Sequence, residues 1–358
     1  MICVYAGNQV DAEGAALRFP RENVAWMQER LVRLLRALAP TAVVGAAAAG
    51  ADLLVLEAAR QLSIPAHLVL PFPVEEFEQR SVADRGAEWR ARFRRVLAGI
   101  PASQRRIGPR PPVGTDRYRL ANHDILAAAE QISGADAILA LAVRPPVTVH
   151  RPTTVRRPAD VRPPSDGSVT DDFVDRAREQ QLTVIDLDPS TPRRAMLSAF
   201  VVMPHGVRAA HGQRVDGEAT FNKIVVPALE DADLDWFRAD REVDTGLLSD
   251  RAIDRLARSD VVVVDTRTAN PRVYDELAAR QRLAQDSTRG PARGSIQGPA
   301  PGLVRRTTLL IGPEGGPEPV AVTMLERLAY RLTGTAPSDP DALRGIAELG
   351  RFLSAATS

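Results

Sequence analysis

Residues 42–62 read Ala42-Val-Val-Gly45-Ala-Ala-Ala-Ala-Gly50-Ala-Asp52-Leu-Leu-Val-Leu-Glu57-Ala-Ala-Arg-Gln-Leu62. An apolar, β-branched run passes through a turn of glycine and alanine into a segment with apolar residues at helical spacing. The stretch therefore reads as strand, tight turn, helix. The same rhythm extends in both directions. Strands are expected at 2–5, 67–70, 137–143 and 183–187, and again at 199–203, 261–264 and 307–311. Helices are expected at 23–38, 51–62, 87–97, 118–132 and 170–180, then at 221–230, 249–258, 272–283 and 322–332. In the first of these, Val24, Met27, Leu31, Leu34, Leu35 and Leu38 share one face. Runs such as Val261–Val264 suit strands buried on both sides, and their alternation with helices implies parallel sheets. The fold class is α/β: two doubly wound, Rossmann-like domains, 1–190 and 196–358, with the break where Asp-Pro-Ser-Thr-Pro interrupts regularity.

Length and composition agree with that division. A chain of 358 residues exceeds what one ordinary core organises. Its 44% apolar and 25% charged content suits a globular chain and excludes a fibrous or disordered one. A net charge of +1 gives no electrostatic case for nucleic acid or a membrane surface. The single cysteine, Cys3, excludes an intrachain disulfide framework and a cysteine metal cluster. The first residues lack the basic region and apolar core of a signal peptide, and no apolar run is long enough to span a bilayer. The expectation is a cytoplasmic protein. Three stretches break the strand–helix rhythm: 101–115, 143–165 and 285–306, rich in Pro or Gly, are expected as loops. The second carries Arg144 and four further arginines, which as a phosphate lid or as a solvated insertion would both make sense.

Small residues at Gly45 and Gly50, followed by Asp52 at a helix start, let backbone amides approach a ligand phosphate. The same residues also suit tight packing of strand against helix. Gly7 and Asn8 end the first strand at the edge where open α/β sheets bind ligands, and Arg18 follows in the next loop. Gly167, Ser168 and Thr170 open another helix, with hydroxyls and amides for a second anion contact. These stretches, together with Arg18-Phe19-Pro20, Val69-Leu70-Pro71-Phe72, Phe77, Ser81-Val82, Trp89, Phe93 and Ala121-Asn122, resemble a SLOG domain, a relative of the Lonely Guy phosphoribohydrolases. The resemblance covers about 1–190 and implies a Rossmann-like fold that recognises a nucleotide or its derivative, often as a sensor in bacterial signalling or defence. The Lonely Guy signature Pro-Gly-Gly-x-Gly-Thr-x-x-Glu is replaced here by Ser165-Asp-Gly-Ser-Val-Thr170-Asp-Asp-Phe173. Phe173 stands in the position of the glutamate that serves hydrolysis.

In the second half, Asn270-Pro271 is a strong helix start, with Asn270 as N-cap. It sets Glu276 about one and a half turns into a helix near the ligand-binding edge. Asp265 ends the preceding strand and Asp240 follows another. A carboxylate in such a crevice can stabilise the oxocarbenium-like state of N-glycosidic cleavage, with an aspartate for ribose or proton transfer and Arg208 or Arg238 for a phosphate. Glu276 paired with Arg280 on a solvated helix face is the plainer alternative. His205 and His211 lack a third partner for a metal, so no metal site is expected. Met203-Pro204-His205-Gly206, Arg238-Ala239-Asp240 and Asn270-Pro-Arg-Val-Tyr-Asp-Glu276-Leu277 resemble a TIR-like domain of the nucleoside deoxyribosyltransferase fold, over about 196–345. That resemblance implies base exchange or NAD cleavage with Glu276 catalytic. His205, Gly206, Arg208, Arg238 and Asn270 would contact substrate, NAD or a nucleotide would be substrate or ligand, and no further cofactor is required. Effectors of this kind act as oligomers, so a homo-oligomer is expected. A catalytically silent nucleotide-binding adaptor and a phosphoribohydrolase working from the first half are the competing readings.

Overall fold

A computed structural model describes residues 1–12, 18–109, 116–145, 168–193, 196–203, 206–210, 213–238, 255–256, 258–265, 267, 307–312, 326–329 and 338–357. The chain divides into two compact units, Met1–Arg193 and Arg194–Ser358. The fold is α/β, with a Rossmann-like parallel sheet in the first unit and a second parallel sheet in the other.

In the first unit, β1 (Ile2–Gly7), β2 (Ala42–Gly45), β3 (Ala66–Leu70), β4 (Arg105–Ile107), β5 (Ile138–Val143) and β6 (Thr183–Leu187) form a sheet of order β4-β3-β2-β1-β5-β6, every pairing parallel. The crossovers carry α1 (Val24–Leu38), α2 (Ala51–Gln61), α3 (Val74–Ser81), α4 (Ala87–Gly99), α5 (Arg117–Ser133) and α6 (Val169–Glu179). Strand residues alternate faces. Ile2, Val4, Ala42, Val44, Ala140 and Ala142 face α5 and α6, and pack with Ile125, Leu126, Ala129, Phe173, Val174 and Ala177. Cys3, Tyr5 and Val43, buried on the opposite face, complete a sheet covered on both sides. Successive strands run outward from β1 to β4, then the chain returns to the other side of β1 as β5. The order therefore reverses between β1 and β5, the kind of position at whose carboxyl edge open α/β sheets bind ligands.

The second unit contains β7 (Ser198–Val202), the antiparallel ribbon β8 (Val207–Ala210) and β9 (Gln213–Asp216), and then β10 (Asp235–Arg238), β11 (Val261–Asp265), β12 (Thr307–Gly312) and β13 (Glu326–Ala329). Its main sheet has the order β10-β7-β11-β12-β13, again with all pairings parallel. Between β9 and β10 the chain forms α7 (Gly217–Thr220), a π-helical turn (Phe221–Val225) and α8 (Val226–Asp231), while α9 (Asp339–Thr357) closes the chain. Val261–Val264 are buried throughout β11, as expected of a central strand.

Three expectations are corrected. The segment 322–332, expected as a helix, contains the strand β13, because an apolar run this short is decided by backbone pairing with β12 rather than by its own periodicity. The proline-rich segment 101–115 is not wholly loop: Arg105–Ile107 adds an edge strand against β3, where prolines on either side cost no ladder bond. Arg144, expected in either a phosphate lid or a solvated insertion, is in neither role. It caps β5 as a buried residue, its guanidinium bonded to Asp186 and Asp171. The expected helix 272–283 and the insertion 285–306 lie outside the described residues.

Candidate functional site

A cleft of about 640 Å³ opens at the carboxyl edge of the sheet, lined by the end of β1, the loops after β1, β2 and β3, parts of α3 and α5, and the start of α6. That volume is ordinary for a site that takes a small organic ligand. Its floor is made by two loops that bind each other. Beyond β1, the Asn8 amide donates to Val143 O at 2.8 Å, and the Asn8 carbonyl accepts from Ala51 N at 3.1 Å. Val10 N donates to Ala49 O at 3.0 Å, so Gln9 and Gly50 form an isolated bridge. Asp52, at the first turn of α2, accepts from Gly7 N and from Ala48 N, each at 3.1 Å. Its carboxyl is buried at the base of the cleft, and burial pushes its pKa up to about 7 against the pull of those two amides. The Tyr5 hydroxyl, donating to Ala46 O at 2.8 Å, is also held neutral well above its ordinary range, chiefly by burial and then by Asp52 and Cys3.

This self-binding accounts for the small residues. A Cβ on Gly7 would lie 2.3 Å from the Ala51 Cβ, and one on Gly45 would lie 2.5 Å from the Tyr5 ring. Gly50, at φ +131° and ψ −131°, has a backbone that only glycine adopts without strain. The glycines thus let strand, loop and helix touch. The amides of Ala48, Ala49 and Ala51 in the expected phosphate cradle are already taken by Asp52, the Ser81 carbonyl and the Asn8 carbonyl.

Around the floor stand residues that the motif reading named together with some that it did not, Gln9, Asp11, Arg80 and Tyr118 among them. Gln9 spans the rim, donating to Ser81 O at 2.8 Å and accepting from Arg85 at 3.0 Å. The Asp11 carboxylate accepts from the amides of Arg18 and Phe19, each at 3.0 Å. Phe19 is fully buried, while Arg18 beside it is exposed and lines the cleft. Among the described residues the Arg18 guanidinium has no partner. Arg80, also lining the cleft, pairs with Glu76 at 2.9 Å and lies over the Phe72 ring. One wall is apolar: Phe77, Ala121, Ile125 and the Tyr118 ring, whose hydroxyl is 2.9 Å from Ser81 Oγ. Next to this wall, the start of α6 contributes Ser168, Val169 and Thr170 to the lining. Ser168 caps that helix, in a reciprocal box with Asp171, and Thr170 lies buried beside it. The first-turn carboxylates Asp171 and Asp172 would oppose an anion, but each is tied to an arginine. Although burial works to raise both, Arg144 holds Asp171, and Arg176 with Asn122 holds Asp172, below the usual carboxylate range.

In the second unit the sheet order reverses between β7 and β11, and the expected residues that are described lie along the carboxyl edge there. Asp265, at the end of β11, is buried with its carboxylate held by the backbone and guanidinium of Arg267, which also reaches Thr220 Oγ1 at 3.1 Å. Arg238, ending β10, is bidentate to Glu218 at 3.1 and 3.2 Å and lies 4.3 Å over the Phe221 ring. Gly206 follows β7 at φ +65°, its carbonyl accepting from Gly217 N at 3.0 Å. Gly167, His205, Asp240, Asn270, Glu276 and the Arg208 side chain lie outside the described residues.

Of the expected nucleotide-binding residues, Gly7, Asn8, Arg18, Asp52, Ser168 and Thr170 line one cleft, whereas Gly45 and Gly50 support its floor from behind. Periodicity places strands and helices but carries no signal for Gln9, Asp11, Arg85 or Tyr118, which meet only through the crossovers. Among the described residues no group of His, Cys, Asp and Glu is arranged to hold a metal, and no helix is long and apolar enough to cross a membrane. Compared with models of known protein families and with curated proteins, the chain matches none.

Proposed function

We propose that the first unit binds a small nucleotide-derived anion in the cleft at the carboxyl end of β1. It would serve as the sensing half of a signalling or defence protein whose second half cleaves an N-glycosidic bond. The observation that carries the reading is the cleft itself. It lies at the carboxyl edge of the parallel sheet beside β1, and its lining includes Arg18, whose guanidinium has no partner among the described residues, and an apolar wall containing Tyr118. A cation and an aromatic face in one hollow suit a phosphate joined to a base. Because three amides of the loop 45–52 and those of Ser168, Asp171 and Asp172 at the start of α6 are occupied from within, the phosphate is assigned to Arg18 rather than to a helix start.

Within this unit binding is favoured over hydrolysis. Phe173, where the Lonely Guy enzymes have their glutamate, is fully buried among Val4, Ala142 and Ile125. The two carboxylates that line the cleft, Asp11 and Asp52, both accept backbone amides. Cleavage of NAD or a nucleoside by the second unit, with Glu276 as the catalytic carboxylate, rests on its sequence resemblance to TIR-like and deoxyribosyltransferase domains.

Titration calorimetry of the full chain with nucleoside monophosphates, NAD and ADP-ribose tests the first half. Binding weakened about tenfold in Arg18→Ala is expected for loss of a charge-assisted contact. No heat from any of these ligands at millimolar concentration would remove the reading. For the second half, nicotinamide release from NAD is followed with and without those nucleotides. Turnover unchanged in Glu276→Gln would reject the assigned chemistry.

A further inference from the structure

We propose that Asn122 reads a hydrogen-bond donor on the ligand, a ribose hydroxyl or an N–H of the base edge, and so sets the selectivity of the cleft. The inference rests on the nucleotide reading of that cleft. Asn122 lies on α5 in register with Tyr118, Ala121 and Ile125, the face that lines the hollow. The residue is 3% exposed. Its Nδ2 donates to the Val169 carbonyl at 2.8 Å and to the Asp172 carboxylate at 2.9 Å. Both partners are acceptors only, since Asp172 is kept ionised by Arg176 and by Asn122 itself. The orientation of the amide is therefore decided by its partners: turned over, its carbonyl oxygen would face two acceptors. With both N–H groups spent on α6, Oδ1 is left as an acceptor with no donor among the described residues.

A nearly buried carbonyl oxygen that borders a ligand cavity costs free energy until a donor meets it. The floor supplies none, because the neighbouring Gly7, Ala48, Ala49 and Ala51 amides are already spent. Water can meet the oxygen in the open cleft, so a ligand that displaces that water must bring the donor itself. An acceptor of this kind discriminates more sharply than an apolar wall does, since a ligand lacking the donor leaves the oxygen dry and unpaired. Asn122 is thus a selectivity residue rather than an anion contact, separate in role from Arg18.

The test uses the full chain and the tightest binder among AMP, GMP, CMP and UMP. Its affinity is compared with those of analogues lacking in turn the 2′-hydroxyl, the 3′-hydroxyl and the donors of the base edge. One analogue is expected to bind about tenfold to a hundredfold more weakly than the parent. In Asn122→Ala that analogue and the parent should bind alike, while the other two analogues keep their wild-type ratios. The identity of the penalised analogue says whether the donor is on the sugar or on the base. Asn122→Ser, which retains a hydroxyl for α6, repeats the comparison if the alanine variant does not fold. Two results overturn the proposal: all analogues within about twofold of the parent, or a variant that weakens every ligand by the same factor, as a merely structural Asn122 would. If none of the four monophosphates binds, the nucleotide reading of the cleft falls, and the role of Asn122 with it.

Discussion

Asp52 offers the sharpest test of the cleft floor. Its carboxyl ionises near 3.8 in an unfolded chain and near about 7 when folded, because burial outweighs the two amides it accepts from. Between those values the folded chain holds a proton that the unfolded chain has released. Stability from this group is therefore complete below about pH 3.8, declines as pH rises and is gone above about 7. At about 1.36 kcal/mol per pH unit, the interval is worth about 4 kcal/mol. Asp52→Asn imitates the protonated carboxyl and cannot ionise. Compared at the same pH, the two chains share all other titrations. The difference in their unfolding free energies should shift by about 4 kcal/mol in favour of the variant between about pH 4 and pH 8. Urea unfolding at a series of pH values measures the difference, and carbon NMR of the Asp52 carboxyl, assigned by its loss in Asp52→Asn, measures the titration directly. A carboxyl titrating below about 5, or a difference between chains that does not vary with pH, would refute the account of a charge forced into an apolar floor.

The remaining predictions concern the scaffold. Gly50→Ala should lower stability by about 1–3 kcal/mol in urea unfolding, since its backbone is closed to alanine and the added Cβ would sit 2.4 Å from Val10 N. Arg144→Met should cost about 2 kcal/mol, less than for a wholly buried pair, because Asp171 and Asp186 keep some contact with water. Phe173→Glu, which restores the family's acid, should destabilise the first unit by more than about 4 kcal/mol, whereas Phe173→Leu should cost about 1–2 kcal/mol. A Phe173→Glu chain as stable as the parent would show that this position faces the cleft and not the core.

The class of fold was legible because its signals are local. Val261–Val264 announces a strand covered on both faces, and 42–62 announces strand, turn and helix, since burial and dihedral preference act within a few residues. That Gly7, Asn8, Arg18, Ser168 and Thr170 line one cleft has a related reason: loops that follow a strand, and helix starts, lie at one edge of any parallel sheet. What those residues touch was not legible. The glycines of 45–50 read equally as a phosphate cradle and as tight packing, and only the meeting of loops 8–12 and 46–50 showed their amides and close approaches spent on the chain itself. Arg144 looked like one more arginine of a solvated insertion until Asp171 and Asp186 arrived from other elements. Asn122 has a fixed amide orientation for the same reason. Local sequence decides which way a backbone runs. Hydrogen-bond partners dozens of residues apart are brought together only by the crossovers, so the chemistry of a buried polar side chain belongs to the assembled sheet edge and not to the segment that carries it.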